Sequence, residues 1–218
     1  MLKSNRRRRH FLRSAALIAL PLLAACSRKS VRAQLVPAGA TVLALGDSLT
    51  FGTGATPDAA YPAVLAAQTG WVVVNAGVPG DTSAQALARL PALLDQHQPA
   101  LVLLGIGGND LLRRQDEGAL RTNLQALVEG IRGAGAQVLL IAVPRPTLAA
   151  RFTGSLDDHP VYGEVAEAMK LPLHRQGWAD VLADERLRSD AIHANAEGYA
   201  AFARGLLATL RATGLLAA

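Results

Sequence analysis

Four short runs of the chain are apolar with little or no interruption: Thr41 to Leu45, Val72 to Val74, Leu101 to Leu104 and Val138 to Ile141. They are rich in Val, Leu and Ile and show no polar alternation, the pattern of strands buried on both faces. Between them, Tyr61 to Gln68, Ser83 to Leu94 and Leu120 to Arg132 carry apolar residues at helical spacing. Pro91 falls inside the second of these and is expected to end or kink it. A last helix is expected from Ala196 to Arg211, with Asn195 as its cap and Gly214 as its stop. Strands alternating with helices, without an internal repeat, predict a doubly wound α/β domain with a parallel sheet covered on both sides. Ligands in such domains bind beyond the carboxyl ends of the strands.

The segments that leave those carboxyl ends are therefore the ones to read for chemistry. They are Gly46-Asp47-Ser48-Leu49, Asn75-Ala76-Gly77-Val78-Pro79-Gly80 and Gly105-Ile106-Gly107-Gly108-Asn109-Asp110, and all three are expected to meet at one edge of the sheet. A serine hydroxyl is a poor nucleophile near neutral pH, so it needs an imidazole to take its proton and a carboxylate to orient that imidazole. Ser48 lies one step beyond a buried strand, where Gly46 permits a sharp turn. Asp190-Ala191-Ile192-His193 offers the partners, because a three-residue offset in a turn can bring carboxylate and imidazole to one side. Gly77 could present a backbone N–H to a developing oxyanion, and Asn109, between small residues, its side-chain amide. Each feature also has a plain structural use: a helix-capping serine, a solvated Asp-His pair, a turn glycine, an Asx-turn asparagine.

Taken together these residues resemble the SGNH, or GDSL, hydrolases. Gly-Asp-Ser-Leu at 46–49, the glycine of Asn-Ala-Gly at 75–77, Gly-Gly-Asn-Asp at 107–110 and Asp-x-x-His at 190–193 are similar to that family's four blocks, in order, within a resemblance running from Thr41 to Leu210. The bacterial arylesterases and the thioesterase I/lysophospholipase L1 group are the members most alike. The resemblance implies a three-layer α/β/α fold of flavodoxin-like architecture and a serine esterase acting without cofactor or metal. It implies Ser48 as nucleophile, His193 as base, Asp190 as its orienter, and Ser48, Gly77 and Asn109 as the oxyanion hole. The sequence departs from the family at Ala194, where many members have proline, and over Pro144 to Pro160, which does not match the short thioesterase I loop.

Composition and charge change the picture mainly at the N-terminus. The chain has 218 residues, half of them apolar, enough for one well-filled core. Its formal charge is +5, but six of the 22 basic residues (Lys3, Arg6 to Arg9 and Arg13) precede residue 26, leaving 16 basic against 17 acidic side chains. The basic character thus belongs to a leader, and no nucleic-acid partner is expected. That leader joins a positive segment to the apolar run Ala15 to Ala25, too short to span a bilayer. Arg8-Arg9-His10-Phe11-Leu12-Arg13 resembles a twin-arginine export signal, although an arginine-rich general secretion signal carries the same charge pattern. Leu23-Ala24-Ala25-Cys26 resembles a lipobox and holds the chain's only cysteine. The expected organisation is a signal peptide over 1–25, a lipidated Cys26 with a tether over 26–40, and a hydrolase domain over 41–218. The expected setting is the cell envelope, facing the periplasm with membrane attachment through Cys26, or the periplasm itself if Cys26 is not lipidated, and the expected substrate is a small ester or lipid.

Other signals weigh less. Gly105-x-Gly107 lacks the third glycine of a dinucleotide fingerprint, because Asp110 stands there. Asp157-Asp158-His159 has metal-binding side chains but no evident further ligands. His97 and His174 are expected at the surface, and Trp71 and Trp178 in the core. Two other functions fit the same motifs: removal of O-acetyl groups from an envelope glycan, and a non-catalytic lipoprotein that keeps the fold without turnover.

Overall fold

The structure is a computed structural model that describes residues 33–145 and 156–218. The expected leader with Cys26, and much of the Pro144 to Pro160 segment, lie outside the described residues.

Five parallel strands form one sheet in the order β2-β1-β3-β4-β5. They are β1 (Thr41–Gly46), β2 (Val72–Gly77), β3 (Leu101–Gly105), β4 (Gln137–Ile141) and the two-residue β5 (Leu173–His174). The helices among the described residues are α1 (Ser48–Phe51), α2 (Tyr61–Thr69), α3 (Ser83–His97), α4 (Gly108–Leu112), α5 (Glu117–Gly133), α6 (Pro160–Met169), α7 (Gly177–Ala183) and α8 (Ala196–Thr213). Alternate residues of β1 face opposite layers, as the two-residue period of a strand requires. Leu43 and Leu45 pack with Leu90 of α3, Leu124 of α5 and Tyr162 of α6, while Val42 and Ala44 pack with Tyr61 of α2, Trp178 of α7 and Phe202 of α8. The expected three layers are present, and the strand order is the flavodoxin-like one, with its topological switch between β1 and β3.

Four expectations need correction. Pro91 does not end α3, which continues to His97. Its ring is on the exposed side, the start of the helix is fixed by a Thr82–Gln85 capping box, and Ala86, Leu90 and Leu94 bury the opposite face. The β2 run is not buried on both faces: β2 is an edge strand with a single neighbour, and Val72 is 56% exposed. His174 is not a surface residue but a buried member of β5, its Nδ1 2.8 Å from Thr209 Oγ1. Residues 33–39, expected to belong to a tether, pack on the domain instead. Val36 is buried, its N–H donates to the Leu215 carbonyl (2.9 Å) and its carbonyl accepts from Trp71 Nε1 (3.2 Å). Gln34 and Gln137, the first residue of β4, exchange two hydrogen bonds of 2.7 and 2.8 Å. The chain therefore enters the domain at the amino ends of the strands, remote from the edge where β1, β2 and β3 release their loops.

Candidate active site

The carboxyl ends of three strands are level with one another, and each ends in glycine: Gly46 pairs with Gly77 on one side and Gly105 on the other. At Gly46 a side chain would block the turn that follows. A Cβ on Gly46 would lie 2.1 Å from Thr50 Oγ1 and 2.4 Å from the Gly105 carbonyl oxygen. The chain can therefore fold back at once into the single turn of α1. Asp47 caps that turn, accepting the Leu49 N–H at 3.0 Å, so Ser48 is the first residue of the helix and not its cap. No protein acceptor for the Ser48 N–H is found among the described residues.

Ser48 Oγ lies 3.0 Å from His193 Nε2, and His193 Nδ1 lies 2.7 Å from Asp190 Oδ2. With the Nδ1 proton donated to the carboxylate, Nε2 is left as the acceptor for the serine proton. The loop that carries this pair is tied at its base by the Arg188–Ala194 bridge and by Asn195 N–H donating to the Leu187 carbonyl (3.0 Å). Asp190 Oδ1 accepts the Ile192 and His193 amides at 2.8 and 2.9 Å, which locks its rotamer. Slight desolvation raises the Asp190 pKa, but the hydrogen bonds from His193 and these amides outweigh it and hold the carboxyl below the usual range. Ala194 is fully buried.

Asn109 is held by α4, which starts on Gly107 with φ +117°, a conformation that glycine adopts without strain. One N–H of its side-chain amide donates to the Asp81 carbonyl (3.0 Å), and among the described residues the amide's only other partner is Asp47 Oδ2 at 3.5 Å. Asp47 is buried, and desolvation pushes its pKa up to about 6 despite the Leu49 hydrogen bond. Asp110 anchors the neighbouring loop by accepting from the Ser83 N–H (2.8 Å) and hydroxyl (2.5 Å).

Gly77 does not fill the role the sequence suggested. Its N–H is already donated to Asn75 Oδ1 at 3.0 Å, and it does not line the cleft. Its lack of a side chain serves packing instead, since a Cβ would sit 2.2 Å from the Phe51 backbone nitrogen. The glycine that faces the site is Gly80. Val78-Pro79-Gly80-Asp81 forms a turn closed by Asp81 N–H donating to the Val78 carbonyl (3.1 Å), with Gly80 at φ +86°. Pro followed by a left-handed Gly is the type II signature, in which the central peptide is flipped and its N–H points away from the turn. That N–H has no protein acceptor among the described residues. Proline-glycine ahead of a helix cap is the sequence signal for this position, and Asn-Ala-Gly masks it by lying closer to the strand end.

These groups line a cleft of about 300 Å³. Asp47, Ser48, Gly80, Asn109 and His193 lie in its wall, together with Leu49, Leu112, Val143, Leu156, Leu182 and Ile192, while Arg145 is the one arginine or lysine in the lining among the described residues. Leu112 and Ile192 are 46% and 43% exposed and form an apolar rim. The arrangement can deprotonate a serine beside an acyl group and offer three unengaged or weakly engaged N–H donors to the resulting oxyanion. Asp157-Asp158-His159 has another use: His159 caps α6 through the Val161 N–H (3.3 Å) and its Nε2 meets Glu117 (3.3 Å). Among the described residues no group of three or more His, Cys, Asp or Glu is arranged to hold a metal.

The chain is also similar to known ester hydrolases. The chain is 38% identical over 159 residues to the Escherichia coli K12 thioesterase 1/protease 1/lysophospholipase L1, covering 71% of this chain and 76% of that protein. It is 36% identical over 165 residues to the esterase TesA of Pseudomonas aeruginosa, covering 72% and 80%. Among solved structures, a crystal structure of a protein named TesA superposes with a TM-score of 0.70 at 32% identity, over 79% of this chain and 99% of that one. The esterase EstA of Pseudoalteromonas, inhibited by monoethylphosphonate, gives a TM-score of 0.69 at 28% identity, over 79% and 97%. The description of the GDSL-like lipase/acylhydrolase family matches residues 44–201, and the chain belongs to that family of ester hydrolases.

Proposed function

We propose that this protein hydrolyses carboxylic esters through an acyl-Ser48 intermediate. The observation that carries the reading is the unbroken relay from Ser48 Oγ to His193 Nε2 (3.0 Å) and from His193 Nδ1 to Asp190 Oδ2 (2.7 Å), set in the wall of an open apolar cleft. Ser48 Oγ attacks the ester carbonyl as His193 Nε2 takes its proton. The negative charge that forms on the carbonyl oxygen is met by the N–H groups of Ser48 and Gly80 and by the Asn109 amide. Collapse breaks the ester C–O bond, and imidazolium returns the proton to the leaving alkoxide. Water, deprotonated by His193, repeats the sequence on the acyl-enzyme and releases the acid. Asp190 remains ionised throughout and stabilises the imidazolium.

A cleft of about 300 Å³ is at the small end of ligand sites and suits one acyl or aryl group. Aryl esters, short acyl esters and single-chain lysophospholipids are the substrates we favour, in keeping with the named activities of the relatives. Export and lipidation of Cys26 complete the proposal and rest on the sequence. An anchor upstream of Ala33 would hold the domain by the end remote from Ser48 and leave the cleft open to the aqueous side of the envelope. Labelling with a fluorophosphonate probe, followed by peptide mapping, tests the catalytic reading. Adduct on Ser48 alone, absent after His193→Ala, is expected; folded protein that takes up no probe would contradict it.

A further inference from the structure

The three oxyanion donors come from three separate segments, after β1, β2 and β3, and only sub-ångström registration among them makes a hole. One side chain outside the cleft ties these segments together. Arg89, on the buried-facing side of α3, donates from Nε to Asp81 Oδ2 (2.8 Å) and from Nη2 to the Gly46 carbonyl (2.9 Å). Both ends of this clamp are shielded, the side chains of Arg89 and Asp81 being 23% and 10% exposed. Gly46 is two residues before Ser48, and its carbonyl also accepts the Val78 N–H at 3.1 Å, at the first residue of the turn that presents Gly80. Asp81 follows Gly80 directly, and its carbonyl is the acceptor that orients the Asn109 amide (3.0 Å).

We infer that Arg89 is a positioning residue for the oxyanion hole. Its guanidinium holds the nucleophile turn and the Gly80–Asp81 turn in register, and through the Asp81 carbonyl it sets the direction of Asn109. The inference rests on the esterase reading and adds to it a group that touches neither substrate nor reacting atoms. A planar fork is what the position requires, because the two acceptors lie on different segments and a single ammonium cannot satisfy both with the same geometry. Among the described residues Asp81 forms its only side-chain ion pair with Arg89, whereas the Gly46 carbonyl would keep the Val78 N–H alone.

The test uses Arg89→Met, which keeps the aliphatic stem, and Arg89→Lys, which keeps the charge and can keep the Asp81 pair. Active sites are counted by the burst of a chromogenic ester, so that kcat is read per competent enzyme. Misplaced donors predict a kcat per site lowered on the order of 10- to 100-fold in Arg89→Met, with KM little changed, because the donors act on the transition state. Arg89→Lys is expected to be impaired as well, and to carry the test if Arg89→Met does not fold. In an Asn109→Ala background the loss should shrink, since part of what Arg89 positions is already gone. A kcat per site within about twofold of wild type in both variants, or a loss fully additive with Asn109→Ala, overturns the inference and leaves the esterase reading standing. Absence of any burst or turnover in the wild type removes both.

Discussion

Replacing Asp47 by asparagine isolates the energetic effect of a buried carboxyl that the fold places beside its own active site. Asp47 is 3% exposed, and burial pushes its pKa from 3.8 to about 6. Between those two values the unfolded chain has already lost the proton while the folded protein still holds it. Stability associated with this group is therefore fully present below pH 3.8 and is lost as pH rises through about 6. A shift of about two units corresponds to about 3 kcal/mol at 1.36 kcal/mol per unit. Asparagine keeps an oxygen for the Leu49 N–H but cannot ionise. The difference in unfolding free energy between Asp47→Asn and wild type, from urea denaturation at a series of pH values, should change in favour of the variant by about 3 kcal/mol between pH 4 and pH 7. Activity should move the other way. The carboxylate oxygen now 3.5 Å from Asn109 Nδ2 would be replaced by an amide that can present a donor to a donor. A difference in stability that stays flat with pH would refute the reasoning, because it would mean that Asp47 ionises normally in the folded state.

His174 should show the opposite pH dependence. Desolvation lowers its pKa from 6.5 to about 4, so its contribution is present above pH 6.5 and lost as pH falls through about 4. In His174→Gln the stability should therefore gain relative to wild type on acidification, by up to about 3 kcal/mol across that window, and equal acid sensitivity in both proteins would contradict it. Asn109→Ala should lower kcat by roughly 10² to 10³ with little change in melting temperature, whereas an unchanged kcat would remove Asn109 from the hole. Gly77→Ala should instead lose stability, because its Cβ would overlap the Phe51 backbone at 2.2 Å. A stable Gly77→Ala protein with kcat reduced as in Asn109→Ala would restore Gly77 to the oxyanion hole.

The sequence made the buried strands and the long helices legible because their apolar periodicity is long enough to read. β1, β3, α5 and α8 are close to where periodicity puts them, with Asn195 capping α8 by accepting the Gly198 N–H at 2.9 Å. β5 has two residues and α7 seven, too few for a period, so neither is legible in the sequence. The edge position of β2 depends on strand order, which local hydrophobicity does not encode. The Ser48, Asp190 and His193 relationship was legible because each residue is announced by a neighbouring turn. Gly77 was misread because proximity to a strand end does not say where an N–H points; hydrogen bonding to Asn75 and packing on Phe51 decide that. Arg89 gave no signal at all, since an arginine on a helix is ordinarily a solvated one.

The central claim, ester hydrolysis through Ser48, is tested most directly by following p-nitrophenyl esters of increasing acyl length with the wild-type protein and with Ser48→Ala. A stoichiometric burst followed by steady turnover in the wild type, absent from a Ser48→Ala protein with the same melting temperature, is the predicted result. Equal turnover by the two proteins, or a folded wild type that hydrolyses none of these esters, would contradict it.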